Sequence, residues 1–382
     1  MKKGWENATL GEVCHVYQPQ TLAQKALKPG PYPVFGANGQ IGWHSEFNHE
    51  NEELVLGCRG SVGTVHVTPK KTWINGNAMV VRPKDSRISL ELLRYAFLGG
   101  IKLGDAISGT AQPQITRASL SPLALCFPTA RAQQDQLSNK LDEAFAGLAK
   151  AKENAEKNLQ NARALFESHL ETVFTQRGHR WAEKTLEEVC HKITDGTHHS
   201  PKKQLPERAP GTFPYITSKN IRNNYMDLSG VTYIERAFHE EAYARCQPSH
   251  GDVLLTKDGA NTGNVTLNTL NEPFSLLSSV CLIKTDPNML RPAFLCFYLQ
   301  SSTGLSSIVG QMTGAAIKRI VLKDIKKAVI SFPPLKEQDS IVTKQKHLLE
   351  ETQSLARLYE QKLEALESFK KSILHEAFSG NL

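Results

Sequence analysis

One short segment occurs twice in this chain. Residues 5–15 read WENATLGEVCH and residues 181–191 read WAEKTLEEVCH, with identity at seven of the eleven positions. A duplicated chain favours two related domains over one large core. Other pairs follow in the same order: ELVLGCRGSVGTV (53–65) with DVLLTKDGANTGNV (252–265), and GTAQPQI (109–115) with GAAIKRI (314–320).

The end of each copy has the spacing of a long helix. Residues 131–174 contain no proline and residues 335–378 contain neither glycine nor proline, while apolar residues recur at steps of three and four. A helix of about 44 residues is about 60 Å long and needs a partner. We expect the two helices to pair antiparallel, with the domains at opposite ends of a rod. The residues predicted for this coiled coil or for docking a partner are Leu137, Leu141, Phe145, Leu148, Leu159, Leu165, Leu170, Ile341, Leu348, Leu355, Leu363, Leu366, Phe369 and Ile373.

The predicted fold class is therefore α+β with pseudo-two-fold internal symmetry. Two repeated mixed α/β domains are separated by two long helices that form an antiparallel coiled coil. The predicted boundaries are 1–130 for the first domain, 131–177 for the central helix, 178–334 for the second domain and 335–382 for the last helix.

The positive charge of the chain lies in the two predicted domains. Residues 1–130 hold 13 basic and 9 acidic side chains, and residues 178–334 hold 18 and 14. A basic excess in two matching segments favours a polyanionic partner. No run of 18 apolar residues is present, so we expect a cytoplasmic protein.

The sequence offers little for catalysis or metal binding. It has no phosphate-loop, HExxH or Gly-x-Ser-x-Gly motif, and its seven cysteines lack zinc spacing. We expect reduced, buried cysteines and no metal site. The Cys-His pair inside the repeated segment is interpreted as packing.

Several loops are candidates for DNA contacts. Arg59 and Lys257 each lie beside glycines in a turn, a combination that suits a phosphate contact, although a plain turn between strands fits the same residues. Asn, Gln and Arg side chains in the 109–117 and 314–320 loops have the donors and acceptors for base edges. The DNA-binding candidates are Arg59, Lys70, Lys71, Gln112, Gln114, Arg117, His198, Lys202, Lys203, Lys219, Arg222, Lys257, Lys318 and Arg319.

The motifs together resemble the specificity subunit of type I restriction-modification systems. The resemblance covers nearly the whole chain and rests on PPLKEQDSIV (333–342), LHEAFSGNL at the end, GTAQPQI, VLLTKDGANTGNV, and DGTHHSPKK leading into FPYITSKNI. It implies two target-recognition domains that each bind half of a bipartite double-stranded DNA target. It also implies docking of two modification subunits on the helices, with restriction subunits joining the complex.

The same resemblance implies that the chain has no cofactor of its own. S-adenosylmethionine, ATP and Mg²⁺ belong to the partner subunits, and the chain lacks the Asn/Asp-Pro-Pro-Tyr/Phe signature of adenine methyltransferases. The first copy departs from the pattern, because PTARAQQDQLS (128–138) keeps only Gln134 and Asp135 of PPLKEQDSIV. We therefore expect two structurally equivalent copies that differ in how well they dock a partner.

Three other hypotheses remain open from the sequence. In the first, the chain is a specificity subunit whose single partner both cleaves and methylates DNA. In the second, it is a basic coiled-coil scaffold that binds DNA without recognising its sequence. It is otherwise a nuclease or methyltransferase whose site has no recognisable motif.

Overall fold

The structure, a computed structural model, describes residues 3–259, 261–309 and 319–382. The chain divides into two compact units. The first unit contains Met1–Lys157 and Tyr359–Leu382, and the second contains Asn158–Leu358. The long helices are thus not a separate body, because each unit holds one predicted domain and part of both helices.

Strands dominate the domain of the first unit. They are β1 (Trp5–Thr9), β2 (Cys14–Tyr17), β3 (Tyr32–Gly36), β4 (Gly39–His44), β5 (Leu54–Gly57), β6 (Val65–Val67), β7 (Trp73–Ile74), β8 (Ala78–Pro83), β9 (Ile107–Ser108), β10 (Gln114–Ile115) and β11 (Ala124–Pro128). Its helices are α1 (Leu10–Val13), α2 (Leu90–Tyr95), α3 (Arg117–Leu120) and the start of α4 (Arg131–Thr175).

The second unit has a similar set of elements. Its strands are β12 (Ala182–Thr185), β13 (Cys190–Asp195), β14 (Thr212–Ile216), β15 (Ile221–Arg222), β16 (Tyr225–Met226), β17 (Thr232–Glu235), β18 (Val253–Thr256), β19 (Val265–Leu267), β20 (Ser275–Leu276), β21 (Val280–Thr285) and β22 (Val329–Phe332). Its helices are α5 (Arg236–Cys246), α6 (Pro292–Gln300), α7 (Ser302–Val309), α8 (Leu322–Lys327) and most of α9 (Leu335–Ser379).

Three sheets recur in the two units with the same strand orders, while the two-stranded sheets β9-β10 and β15-β16 each belong to one unit. A four-stranded antiparallel sheet runs β2-β8-β5-β6 in the first unit and β13-β21-β18-β19 in the second. A three-stranded mixed sheet runs β4-β3-β7 and β17-β14-β20, and a two-stranded sheet pairs β1 with β11 and β12 with β22. The duplication predicted from the sequence is confirmed.

The repeated WxxxTLxEVCH segment builds the same corner in each unit. Thr9 and Glu12 form a reciprocal capping box, as do Thr185 and Glu188, and each box turns the chain from one strand into the next. The leucine and valine between them, Leu10 with Val13 and Leu186 with Val189, are fully buried. The segment recurs because it starts each domain core.

The two long helices run antiparallel where they meet within each unit. In the first unit Lys152 pairs with Glu367 at 2.8 Å, and the Lys370 ammonium lies 5.3 Å from the Phe145 ring centre. Residue numbers therefore rise along α4 while they fall along α9. In the second unit His169 of α4 faces Gln345 of α9 at 2.9 Å.

Most of the predicted coiled-coil positions are shielded. Leu137, Leu141 and Leu170 are buried, and Phe145, Ile341, Leu348 and Ile373 pack against the buried clusters. Leu148, Leu159, Leu363 and Leu366 are half-buried. Leu165, Leu355 and Phe369 are the exposed members of the set, with 51%, 38% and 56% of their surfaces accessible. A role of these three residues in docking a partner stays a prediction.

No helix within the described part of the chain is long and apolar enough to cross a membrane.

Candidate nucleic-acid interface

The turn between β5 and β6 presents Arg59 at the surface of the first unit. Gly60 has a φ of 77°, in the left-handed region that glycine tolerates, and the Gly63 backbone N–H donates to the Gly57 carbonyl at 2.9 Å. The turn is braced from outside by β10, since Arg59 and Gln114 form a β-bridge and the Ile115 N–H donates to the Cys58 carbonyl at 3.0 Å.

This brace creates a cleft beside Arg59. The cleft has a volume of about 640 Å³ and is lined by Arg59, Gly60, Ala111, Gln112, Pro113 and Gln114. Three of the predicted DNA contacts are thus brought together, and Arg117 is exposed shortly after them at the start of α3. A guanidinium beside two amides offers donors for phosphate oxygens and for base edges.

The turn between β18 and β19 is the equivalent feature of the second unit. Gly259 has a φ of 102°, and the Gly263 N–H donates to the Thr256 carbonyl at 2.8 Å. Here Asp258 and Arg319 form a backbone β-bridge, and the Ile320 N–H donates to the Lys257 carbonyl at 2.7 Å. Arg59 therefore corresponds to Asp258, and Cys58 corresponds to Lys257.

The burial of Lys257 contradicts its predicted role as a surface phosphate contact. Its side chain is 4% exposed, and its ammonium lies 3.0 Å from Asp195. Asp195 also pairs with Arg245 at 2.7 Å and His198 at 3.3 Å. Burial raises the pKa of Asp195, but hydrogen bonds from Arg245 and Lys257 outweigh burial and hold that pKa below its usual range.

The first unit holds a neutral pair in the same place. Gln18, the residue after β2, corresponds to Asp195 at the end of β13. The Gln18 amide lies 3.6 Å from the Cys58 sulfur. Lys257 thus belongs to a charged and buried version of a contact that is partly exposed in the first unit. The sequence singled out Lys257 because it lies beside glycines, whereas its distant partner Asp195 was missed.

Other basic residues surround the second turn. Lys219 is exposed on a short helical turn whose Ser218 carbonyl accepts from the Asn261 side chain at 3.0 Å. Arg319 is also exposed. Arg222 is half-buried and donates to the Lys219 carbonyl at 2.7 Å, so it supports that turn more than it extends from it.

The remaining candidates lie apart from these turns or outside the described residues. Lys70 and Lys71 are exposed beyond the far end of the β5–β6 hairpin, where Thr68 donates to the Glu53 carbonyl. His198, Lys202 and Lys203 are exposed on the loop after β13, and only His198 is tied to Asp195. Lys318 lies outside the described residues.

The cysteines show no sign of reactivity or metal binding. Burial raises the pKa of Cys14 and of Cys190 to about 12, which disfavours the thiolate, while the adjacent His15 and His191 are exposed. Across residues 3–259, 261–309 and 319–382 no cluster of three His, Cys, Asp or Glu side chains is arranged to hold a metal ion.

Two copies of one domain, each with a braced glycine turn and exposed Arg, Lys or Gln side chains, define a two-domain recognition protein. The family model described as "Type I restriction modification DNA specificity domain" matches residues 2–157 and 179–367. The chain belongs to this family, as its motifs predicted, and is a DNA-specificity protein of the type I restriction-modification class.

Individual relatives agree with this assignment. The chain is 26% identical to the type I restriction enzyme EcoBI specificity subunit of Escherichia coli over 163 residues, which cover 43% of this chain and 34% of that protein. It is 22% identical to a putative type I restriction enzyme specificity subunit of Haemophilus influenzae over 327 residues, covering 82% and 79%.

Solved structures share the fold over the full length. A chain from a study of assembly and conformational transition in the type I R-M system has a TM-score of 0.80 at 17% identity, covering 100% of this chain and 99% of that one. The HsdS subunit from Thermoanaerobacter tengcongensis has a TM-score of 0.61 at 17% identity, covering 100% and 98%.

Proposed function

We propose that this chain reads a bipartite double-stranded DNA target and brings methyltransferase and restriction subunits to it. Each unit reads one half of the target through its braced turn and the loops around that turn. The observation that carries this proposal is the placement of equivalent turns with unlike side chains in the strand or loop that braces them, since Gln114 stands where the other copy has Arg319. Equivalent geometry with different residues suits two half-sites of different sequence.

The chain itself is proposed to be non-catalytic. S-adenosylmethionine, ATP and Mg²⁺ are assigned to partner subunits, two of which carry the methyltransferase activity. The exposed leucines of the second unit's helices, Leu165, Leu355 and Leu358, give a partner apolar surface to cover. We place this activity in the cytoplasm, where a restriction system meets incoming DNA.

Binding and catalysis are tested together with the purified chain. We expect it to bind duplex DNA with an affinity that falls steeply with salt, and to methylate DNA only after a modification subunit is added. Methylation or cleavage by the chain alone, with Mg²⁺ and S-adenosylmethionine supplied, would contradict the proposal. Equal competition by a scrambled duplex would favour a non-reading scaffold instead.

Site variants locate the two readers. We expect Gln112→Ala with Gln114→Ala to relax the sequence preference of one half-site only, measured by mapping methylated adenines in cells that carry the whole system. Arg59→Ala is expected to weaken binding to every DNA sequence alike, by roughly tenfold. The reason is that a phosphate contact adds affinity but carries no sequence information. Lys3→Ala is the matched control, since Lys3 is an exposed cation that is not among the DNA-binding candidates. Loss of preference in both half-sites would contradict separate readers.

A further inference from the structure

The second unit contains a cleft at the junction between its domain and α9. The cleft has a volume of about 310 Å³. Its apolar lining includes Leu267 of β19, Cys296 and Phe297 of α6, and Leu349 of α9, while Lys346 and Glu350 of α9 are also in the lining. Lys346 and Glu350 have no ion-pair partner within the described residues, so two charges border an apolar hollow.

The first unit fills the equivalent position with its own side chains. The alignment is fixed by two buried glutamines, because Gln134 accepts from the Ser89 N–H and Gln338 accepts from the Arg291 N–H, each at 2.8 Å. Counting along the helices from these contacts, Arg94 corresponds to Cys296 and Asp142 to Lys346. By the same count, Tyr95 corresponds to Phe297 and Phe145 to Leu349.

These larger residues of the first unit contact one another. The Arg94 guanidinium pairs with Asp142 at 2.8 Å and lies 4.4 Å from the Tyr95 ring centre. The Tyr95 hydroxyl also donates to Asp142, and the Tyr95 and Phe145 rings meet edge to face at 5.3 Å. The second unit lacks the long Arg94 side chain and one aromatic ring.

We infer that the cleft of the second unit is a socket for a side chain of the modification subunit, and that the two units therefore bind that subunit with unequal affinity. This inference rests on the proposed docking of modification subunits. The inserted group replaces what Arg94 supplies in the first unit, so it has a long apolar body. Because Lys346 stands where the first unit has Asp142, the partner presents a carboxylate beside that body.

The first partner then binds at the second unit and the next one binds more weakly at the first unit. An apolar anchor in a preformed pocket, edged by complementary charge, is the usual form of a binding hot spot. In the first unit the side chains of Arg94, Asp142 and Tyr95 already contact one another at the equivalent position. Unequal docking also agrees with the weaker match of the first copy to the PPLKEQDSIV pattern.

The inference is tested by titrating the full chain with its modification subunit and resolving the one-to-one and two-to-one complexes by native mass spectrometry. For the unaltered chain we expect two binding steps whose dissociation constants differ by about tenfold or more. Leu349→Phe with Lys346→Asp carries residues of the first unit into the second and fills the socket. We expect this double variant to weaken the tighter step by about tenfold and to leave the weaker step unchanged.

Lys344→Asp is the matched control, because it makes the same charge change at an exposed position outside the cleft lining. Lys346→Asp alone also alters an exposed residue and should weaken the tighter step even if the double variant folds poorly. Two equal steps in the unaltered chain, or a tight step unchanged by both Lys346 variants, would overturn the inference while docking stands. Absence of both steps would overturn the proposed docking as well.

Discussion

At the residue scale, Lys257 was predicted to contact phosphate at the surface but forms a buried ion pair with Asp195. Both side chains are buried, and removal of one leaves the other as an unpaired charge away from water. Such a loss costs several kcal/mol, whereas replacing both partners by neutral groups is often tolerated. In the first unit the same place holds the neutral residues Gln18 and Cys58, of which only Cys58 is buried.

We expect Asp195→Asn to destabilise the second unit by about 3–5 kcal/mol, because it leaves Lys257 buried without its carboxylate. The double variant Asp195→Gln with Lys257→Cys copies the first unit and should stay within about 1 kcal/mol of the unaltered protein. Urea unfolding at pH 7 measures both, with the exposed Glu241→Gln as control. Equal losses for single and double variants would contradict this reading.

The same pair gives stability a defined dependence on pH. The pKa of Asp195 is lower in the folded protein than its usual value of about 3.9, so its contribution is complete above about pH 5. That contribution is lost as pH falls through the folded pKa. We expect urea midpoints of the unaltered protein to fall more between pH 5 and pH 3 than those of the double variant; parallel curves would argue against the pairing.

One buried glutamine connects each long helix to its domain. The Gln338 amide donates to the Met289 and Pro333 carbonyls at 2.8 Å and accepts from the Arg291 N–H, and Gln134 makes the equivalent set of contacts. Their retention in both copies is therefore explained by helix anchoring.

We expect Gln338→Ala or Gln134→Ala to lower the free energy of unfolding of its own unit by about 1–3 kcal/mol, because buried backbone groups lose their partners. Gln133→Ala, on the exposed neighbour of Gln134, is the control and should be nearly neutral. Thermal unfolding monitored by circular dichroism would show the difference. A neutral result at both glutamines would mean that water replaces the amide.

At the scale of elements, the two helix pairs differ in their centres. Leu141 is buried in the first unit, where an apolar residue suits the contact between α4 and α9. Gln345 occupies the matching position of the second unit, because Leu141 and Gln345 each follow the equivalent glutamines, Gln134 and Gln338, by seven residues. The Gln345 side chain is fully buried, and its Oε1 atom has no hydrogen-bond partner among the described residues.

We expect Gln345→Leu to stabilise the second unit by about 1 kcal/mol, since it removes an unsatisfied buried acceptor. The reciprocal Leu141→Gln should destabilise the first unit by about 1–3 kcal/mol. Differential scanning calorimetry of both variants provides the measurement. A loss of stability in Gln345→Leu would show that the contact with His169 outweighs the unsatisfied oxygen.

The bounds of the two long helices were predictable from the sequence, whereas the roles of the individual side chains on them were not. The predicted segments 131–177 and 335–382 closely match α4 and α9, because unbroken apolar spacing is a local property of the sequence. Spacing did not separate Leu141 from Leu165, since both fit a helical stripe. Which of them is covered depends on where the other helix and the domain approach.

At the scale of the whole molecule, the coiled coil is proposed to set the distance between the half-sites. Seven residues of helix correspond to about 10 Å, or about three base pairs of DNA. We expect deletion of 151–157 together with 362–368, which lie around the Lys152–Glu367 pair in the first unit, to shorten the preferred gap by about three base pairs. Methylation mapping in cells measures the gap, and an unchanged gap would contradict a ruler.

The sequence by itself determined the duplication, the two long helices, the class of protein and the absence of familiar catalytic motifs. These properties are repeated or local, so they can be read from spacing and from resemblance. The tertiary structure decided which basic residues are exposed, because burial depends on segments far apart in the chain. Asp195 pairs with Lys257, β10 pairs with the turn at Arg59, and a cleft lies between α6 and α9. No local sequence pattern predicts these contacts between distant segments.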